Sequence, residues 1–272
     1  MIHPGPRSAD RVQAARTTLR PVQGVLPAGA TVMQAVGDLF AAHGCKGGVL
    51  ALDGVACEPL RYVLPALSTD GLHAAWYSET HAPDGAVSIT RATATVGWRD
   101  GAPFLHCHGV WTPGGVPRMG HLLPFDSVLA ADAHVTGLGS PDAWFEGLPD
   151  PETAFTLFTP QGGSNGPALL ARILPGEDCV TAIEALCAAH EIRDARLHGV
   201  GSIDHIHFAE GHRMESLATE LRLDGATLHA GRAVLPIQVV DIHGTIASGT
   251  LTHGDNPVGV TLELIIEPET LT

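Results

Sequence analysis

Residues 103–124 read PFLHCHGVWTPGGVPRMGHLLP and place His106, His108 and His121 within sixteen positions of one another. On a strand, side chains alternate between faces, so His106 and His108 share one face about 7 Å apart while Cys107 points the other way. Gly114-Gly115 then predicts a two-residue hairpin turn. Folding the chain there sets Trp111 opposite Arg118, Gly109 opposite Gly120 and His108 opposite His121, about 5 Å apart at Cβ. Three neutral imidazoles converging from two strands are the donor set of a zinc ion that keeps a fourth position open. The same set accepts manganese, iron, nickel or copper, and affinity order does not choose among them. Gly109 and Gly120 beside the triad would leave room for a ligand or a bent strand. Pro113 and Pro117 flank the turn and oppose a tight ladder there.

A metal with an open position polarises a carbonyl or activates water. Arg118, Arg61 and Arg91 could grip a substrate carboxylate, and Glu79, Tyr62 and Ser78 could handle a proton. A fourth protein ligand, for which His3 and His81 are candidates, would instead close the site and make it structural. The pair His205 and His207, with His212 nearby, also falls on one strand face, but no turn supplies a third ligand. The run Thr252-His253-Gly254-Asp255-Asn256-Pro257 reads as a tight turn whose polar groups satisfy backbone.

The elements that must carry these residues repeat. VLPAGATVMQAVGDLFAAH at 25–43 resembles ILPGEDCVTAIEALCAAH at 173–190. HCHG at 106–109 is matched to DIHG at 241–244, and Gly120-His121-Leu122 to Gly249-Thr250-Leu251. The second copy thus keeps only His243 of the triad, with Asp241 and Thr250 at the other positions. Each copy opens with an amphipathic helix: Val32, Val36, Leu39 and Phe40 share a face in the first, and Val180, Ile183, Leu186 and Cys187 in the second. Thr31 and Asp178 are the expected N-caps. Strand-like runs follow at 48–52, 87–98, 104–111 and 120–123, and again at 196–200, 217–223, 239–246 and 258–266. The expectation is an α+β fold of two tandem domains, each a largely antiparallel sheet with a packed helix: 20–139 with the metal site, a breaker-rich connection at 140–168, and 169–268 with a degenerate site. Residues before about Pro21 are polar and read as an arm.

With 272 residues and 44% hydrophobic content, the chain can fill one large or two ordinary cores. Its formal net charge of −14 opposes phosphate backbones, so nucleic acid is an unlikely partner. The group Arg7, Arg11, Arg16 and Arg20 is the best basic segment and is weak. Five Cys, an odd number with no CxxC, fit reduced thiols and a cytoplasmic location. No apolar run reaches membrane-spanning length.

The motifs LPG with its helix at 174–190, GVGS at 199–202, FLHCHGVW with GHLLP at 104–124, and GDNPV with its following strand resemble the PPC (plant and prokaryote conserved) domain in a two-copy bacterial form. The likeness covers about 20–268. That family is similar in architecture to α-acetolactate decarboxylase and to a zinc-dependent ester hydrolase, in which an HxH pair and a later His hold zinc. The resemblance therefore implies zinc at His106, His108 and His121, and an unassigned lyase or hydrolase activity on a small carboxylate or ester. It also implies Glu and Arg side chains near the metal, for which Glu58, Arg61, Glu79, Arg91 and Arg118 are candidates. It further implies a homo-oligomer, a trimer in the family. Plant members bind DNA through AT-hooks, and no RGRP hook occurs here. A non-catalytic ligand-binding or regulatory module is the alternative, and a DNA-associated protein the third reading.

Overall fold

A computed structural model describes residues 1–269. The chain forms β1 (Val12–Thr17), β2 (Arg20–Leu26), α1 (Val32–Ala42), β3 (Gly47–Ala51), β4 (Val87–Arg99), β5 (Ala102–Trp111), β6 (Arg118–Leu122), β7 (Ala133–Ser140), β8 (Ala143–Pro149), β9 (Thr156–Gly162) and β10 (Ala168–Ile173). It continues with α2 (Cys179–Ala189), β11 (Ala195–Ile203), β12 (Thr219–Leu223), β13 (Pro236–Asp241), β14 (Ile246–Thr250) and β15 (Val258–Pro268), beside several two- to four-residue strands. Two sheets dominate. The first runs β2-β7-β3-β4-β5-β6 and ends on the short strand Tyr62–Val63; the second runs β1-β10-β15-β11-β12-β13-β14. Pairing is antiparallel along both paths, and β8 joins β4 in parallel. No helix among the described residues is long and apolar enough to cross a membrane.

Both helices start where their side-chain caps dictate. Thr31 Oγ1 accepts the Gln34 N–H at 3.2 Å, and an Asp178 carboxylate oxygen accepts the Thr181 N–H at 2.8 Å. Val32, Val36 and Phe40 of α1 are buried in a core with Ala94, Leu105 and Cys107. Val180, Ile183, Leu186 and Cys187 of α2 are buried with Leu221, Leu264 and Ile266. Alternation then decides what faces the other way. Thr93, Thr95, His106 and His108 leave the α1 core for the opposite face of the first sheet. Glu220, Arg222 and Glu263 do the same on the second. These two faces meet, and the seam between them is closed by apolar residues from both sheets. Val49, Phe145 and Phe158 pack with Ala15, Leu170 and Ile265 at one place, and Val110 and Met119 with Val240 at another.

Several sequence expectations change. The polar arm contains β1, which pairs with β10 from Val12 opposite Ile173 to Thr17 opposite Ala168. The segment 140–168 holds the β8–β9 hairpin, paired from Ala143 opposite Gly162 to Pro149 opposite Thr156. Its breakers mark the hairpin ends and crossings, and the strands between them bury Ala143, Phe145, Leu157 and Phe158. The chain thus crosses between the sheets twice, after β1 and after β9. The run 239–246 is a strand end, a turn and a strand start: Asp241 folds back to accept the N–H groups of His243 and Thr245 at 2.9 and 2.8 Å. All five cysteines are buried free thiols. Phe145 has no exposed surface and stacks on Phe158 with centroids 5.5 Å apart. Truncating such an aromatic leaves a cavity that costs about 3–5 kcal/mol. Phe145→Ala is therefore expected to lower unfolding stability by that amount in a urea titration; a loss under 1 kcal/mol would show that the seam is not cohesive.

Candidate metal centre

The hairpin that carries the triad has the register expected from its glycine pair: Trp111 faces Arg118, Gly109 faces Gly120 and His108 faces His121. The bend itself differs. It is a six-residue loop with a 3₁₀ turn at Pro113–Gly115, and Gly114 and Gly115 have φ of 57° and 82°. Pro113 and Pro117 prevent the ladder from closing to a two-residue turn, yet the loop stays centred on the glycine pair, so the register is unchanged. The flanking glycines answer to neighbouring strands and not to a ligand. A Cβ on Gly109 would lie 2.4 Å from Ala92 Cβ, and one on Gly120 would lie 2.4 Å from the Val63 carbonyl oxygen.

His106, His108 and His121 offer ring nitrogens that all lie within 4.8 Å of one another. Two of the rings are oriented by hydrogen bonds that fix their tautomers. His108 Nδ1 donates to the Leu221 carbonyl oxygen at 2.8 Å. His106 Nδ1 donates to Glu263 Oε2 at 2.9 Å, and Thr95 Oγ1 donates to the same oxygen at 2.7 Å. The Nε2 atoms of both rings are then acceptors, and they stand 3.0 Å apart. Two lone pairs at that distance repel unless a proton or a metal cation lies between them. Ligand atoms around tetrahedral zinc are about 3.3 Å apart, from bond lengths of about 2.0–2.1 Å.

Glu220 reaches in from β12. Its Oε1 lies 3.9 Å from His108 Nε2 and 3.8 Å from His121 Nδ1. Glu220 Oε2 and His121 Nδ1 are buried without a hydrogen-bond partner. Such orphaned atoms are costly in an apolar seam, and a cation would satisfy them. Burial pushes the Glu220 carboxyl well above its ordinary value. Burial, then the nearby His106 and His121, hold the His108 imidazole well below its own, against the Leu221 hydrogen bond; burial and His106 do the same to His121. Both rings are therefore neutral donors near pH 7.

On one side of the triad, His106, His121 and Glu263 form the end of a cavity of about 370 Å³ whose walls include Tyr77, Arg99, Phe104 and Phe155. On the other, His106, His108 and Glu220 border a smaller space of about 60 Å³.

The sequence candidates for the surrounding chemistry lie elsewhere. Arg118 and Glu79 are exposed, and neither lines these cavities. Arg61 bonds its own strand's Leu60 carbonyl at 3.1 Å. Arg91 sits 3.8 Å from Asp224 beside a separate cleft, and Glu58 is exposed. Tyr62 is buried between His81 and Trp111, and Ser78 serves the Leu64 N–H. His3 bonds the Gly259 carbonyl oxygen, and His81 stacks on Tyr62. His205 pairs with Asp204 and Glu215, and His207 with Asp255; the buried Asn256 holds backbone groups of the GDNP turn. Glu220, Glu263, Thr95 and Arg99 were not singled out from sequence. The signal available was a charged residue alternating with Leu in TELRL and in TLELII.

In the second copy, Thr250 pairs across its hairpin with Pro236, where the first copy pairs His121 with His108. The match of HCHG to DIHG therefore fails in space, since Asp241–Gly244 forms the turn.

No curated protein matches the chain in sequence. Among solved structures, the chain is similar to the metal-containing protein AF0104 from Archaeoglobus fulgidus, at 16% identity over 53% of this chain and 96% of that one, with a TM-score of 0.42. A PPC protein from Pyrococcus horikoshii matches at 16% identity over 52% and 94%, with a TM-score of 0.41. A candidate DNA-binding protein from Ralstonia eutropha JMP134 matches at 18% identity over 51% and 89%, with a TM-score of 0.38. The model of one family, described as the Plants and Prokaryotes Conserved (PCC) domain, matches residues 161–268.

Proposed function

We propose that the chain is a tandem pair of such domains, with boundaries near 20–139 and 169–268, and that it is a metal-dependent lyase or hydrolase acting on a small carboxylate or ester, with zinc held by His106, His108 and His121. One observation carries the reading: three imidazoles, two of them oriented by hydrogen bonds, converge with the orphaned Glu220 between two cavities. A metal held only for structure needs a closed set of ligands and no adjoining space.

Bound there, the metal would supply Lewis acidity toward a substrate carbonyl. The chain's own residues supply the rest. Glu263 and the Leu221 carbonyl hold His106 and His108 in the tautomers that leave Nε2 free, as outer-sphere partners do at metal sites. Glu220 Oε1, 3.9 Å from His108 Nε2 and 3.8 Å from His121 Nδ1, stands in the position of a general acid or base. The apolar seam excludes water, which strengthens each polar interaction inside it.

A DNA-associated role is the less favoured reading. Arg7 and Arg11 pair with Glu177, Arg11 also with Glu152, and Arg16 donates to the His190 carbonyl oxygen. Little free positive charge is left in that segment to offset a net −14. A non-catalytic ligand-binding module would keep the metal and show no turnover.

Elemental analysis of protein purified without a polyhistidine tag is expected to give about one zinc per chain, falling to background in His108→Ala. Full occupancy in that variant would remove the metal reading. Ester hydrolysis and decarboxylation of keto acids, assayed side by side, are expected to be lost on chelation and restored by zinc; inertness toward both classes would leave the binding-module reading. Glu220→Gln is expected to keep its metal and lose about 10²–10⁴-fold in kcat, the usual scale for general acid–base catalysis. Loss of metal in Glu220→Gln would make Glu220 a ligand instead.

A further inference from the structure

The larger cavity beside the triad has a chemistry of its own. Its walls are mostly aromatic: Trp76, Phe104, Phe155 and Phe158 border it, and its volume is about 370 Å³. These rings form two contacting pairs. Trp76 and Phe155 lie 5.3 Å apart at their centroids, and Phe104 and Phe158 lie 5.9 Å apart edge to face. Trp76 is 44% exposed, far more than a ring of that size is when it serves a core. Two acidic or basic side chains join them. Glu263 is already bound to His106 and Thr95 at the triad end. Arg99, at the end of β4, is the one Lys or Arg among the described lining residues.

Arg99 is poorly matched by the protein. Its Nε lies 3.6 Å from Asp100, whose side chain is 90% exposed, and its guanidinium stacks 5.4 Å from the Phe104 ring. Stacking on Phe104 orients the planar fork, and its N–H groups make no hydrogen bond to the protein among the described residues, with the side chain 43% exposed. A guanidinium held in this way suits a planar anion that it can bind with two parallel N–H···O bonds. The cavity therefore offers a cation, an aromatic wall and the triad, in a volume typical of sites for small organic ligands.

We infer that this cavity is the substrate site and that it selects an organic acid with an aryl or branched apolar body, with Arg99 binding the carboxylate and Phe104 and Phe155 covering the body. This rests on the triad being the reactive end of the same cavity. It narrows the substrate from small carboxylates in general to those with apolar bulk. Arg99, and none of Arg61, Arg91 or Arg118, is then the anion-gripping residue.

Calorimetric titration of the full chain tests it with three probes: 3-phenylpropanoate, propanoate and 3-phenylpropanamide. The acid with the ring is expected to bind at least about tenfold tighter than either of the others, since one probe lacks the ring and the other the charge. Arg99→Gln is expected to erase the preference for acid over amide and keep the preference for the ring. Phe104→Ala is expected to do the converse. If Phe104→Ala does not fold, the wild-type series and the surface variant Arg99→Gln decide alone. Equal affinity for acid and amide in the wild-type chain, or an unchanged preference in Arg99→Gln, overturns the assignment. The same preferences in His108→Ala, which lacks the metal, separate this inference from the metal reading.

Discussion

The rest of the structure depends on a buried polar layer: imidazoles from one sheet meeting carboxylates from the other. Glu220 and Glu263 are 4% and 1% exposed, and His108 is 2% exposed. A carboxylate taken out of water costs several kcal/mol unless it is paired. Here Glu263 and His108 find their compensation on the opposite sheet. Glu263 is matched by His106 and Thr95 at 2.9 and 2.7 Å, and His108 by the Leu221 carbonyl at 2.8 Å. Separating the sheets would leave several buried polar groups unsatisfied at once. The sheets therefore have a single register with respect to each other, and that register is the one that assembles the site.

Strand exchange enforces the same alignment from outside the layer. β1 precedes every element of the first sheet and yet pairs along its full length with β10 of the second. The β8–β9 hairpin follows β7, extends the first sheet through Phe145 and Glu146 beside Gly97 and Trp98, and hands the chain to β10. Val49, Phe145 and Phe158 from one sheet interdigitate with Ala15, Leu170 and Ile265 from these crossing elements and β15. The apolar seam excludes water from the polar layer and so strengthens the contacts that fix it.

What could be read in the sequence was local. Thr31 and Asp178 as caps, the buried faces of both helices, and the 108–121 pairing follow from spacing within about a dozen residues. The bend at Gly114-Gly115 differed in type, but parity about its centre preserved the pairing, and parity is all that the triad needs. Glu220 and Glu263 lie 112 and 157 residues from the histidines they meet (220 − 108; 263 − 106), and no local rule joins them. The strand β1 was read as an arm because its stretch is polar, and β8 and β9 as a connection because prolines and glycines punctuate their ends. Such breakers mark where strands stop and do not report what lies between them.

The pairing of Pro236 with Thr250 explains why the two copies are unequal. Pro236 has no side-chain donor, and the second sheet instead presents Glu220 and Arg222 on β12. Arg222 is held there by Gln238 at 2.6 Å, by Asp224 at 3.1 Å and by Thr93 of the opposite sheet at 3.3 Å. The two sheets thus divide the labour: the first supplies imidazole donors, and the second supplies the Glu263 carboxylate and the Leu221 carbonyl that orient two of them. Two sheets with identical faces could not form this layer, so the difference between the faces and the burial of the site share one cause.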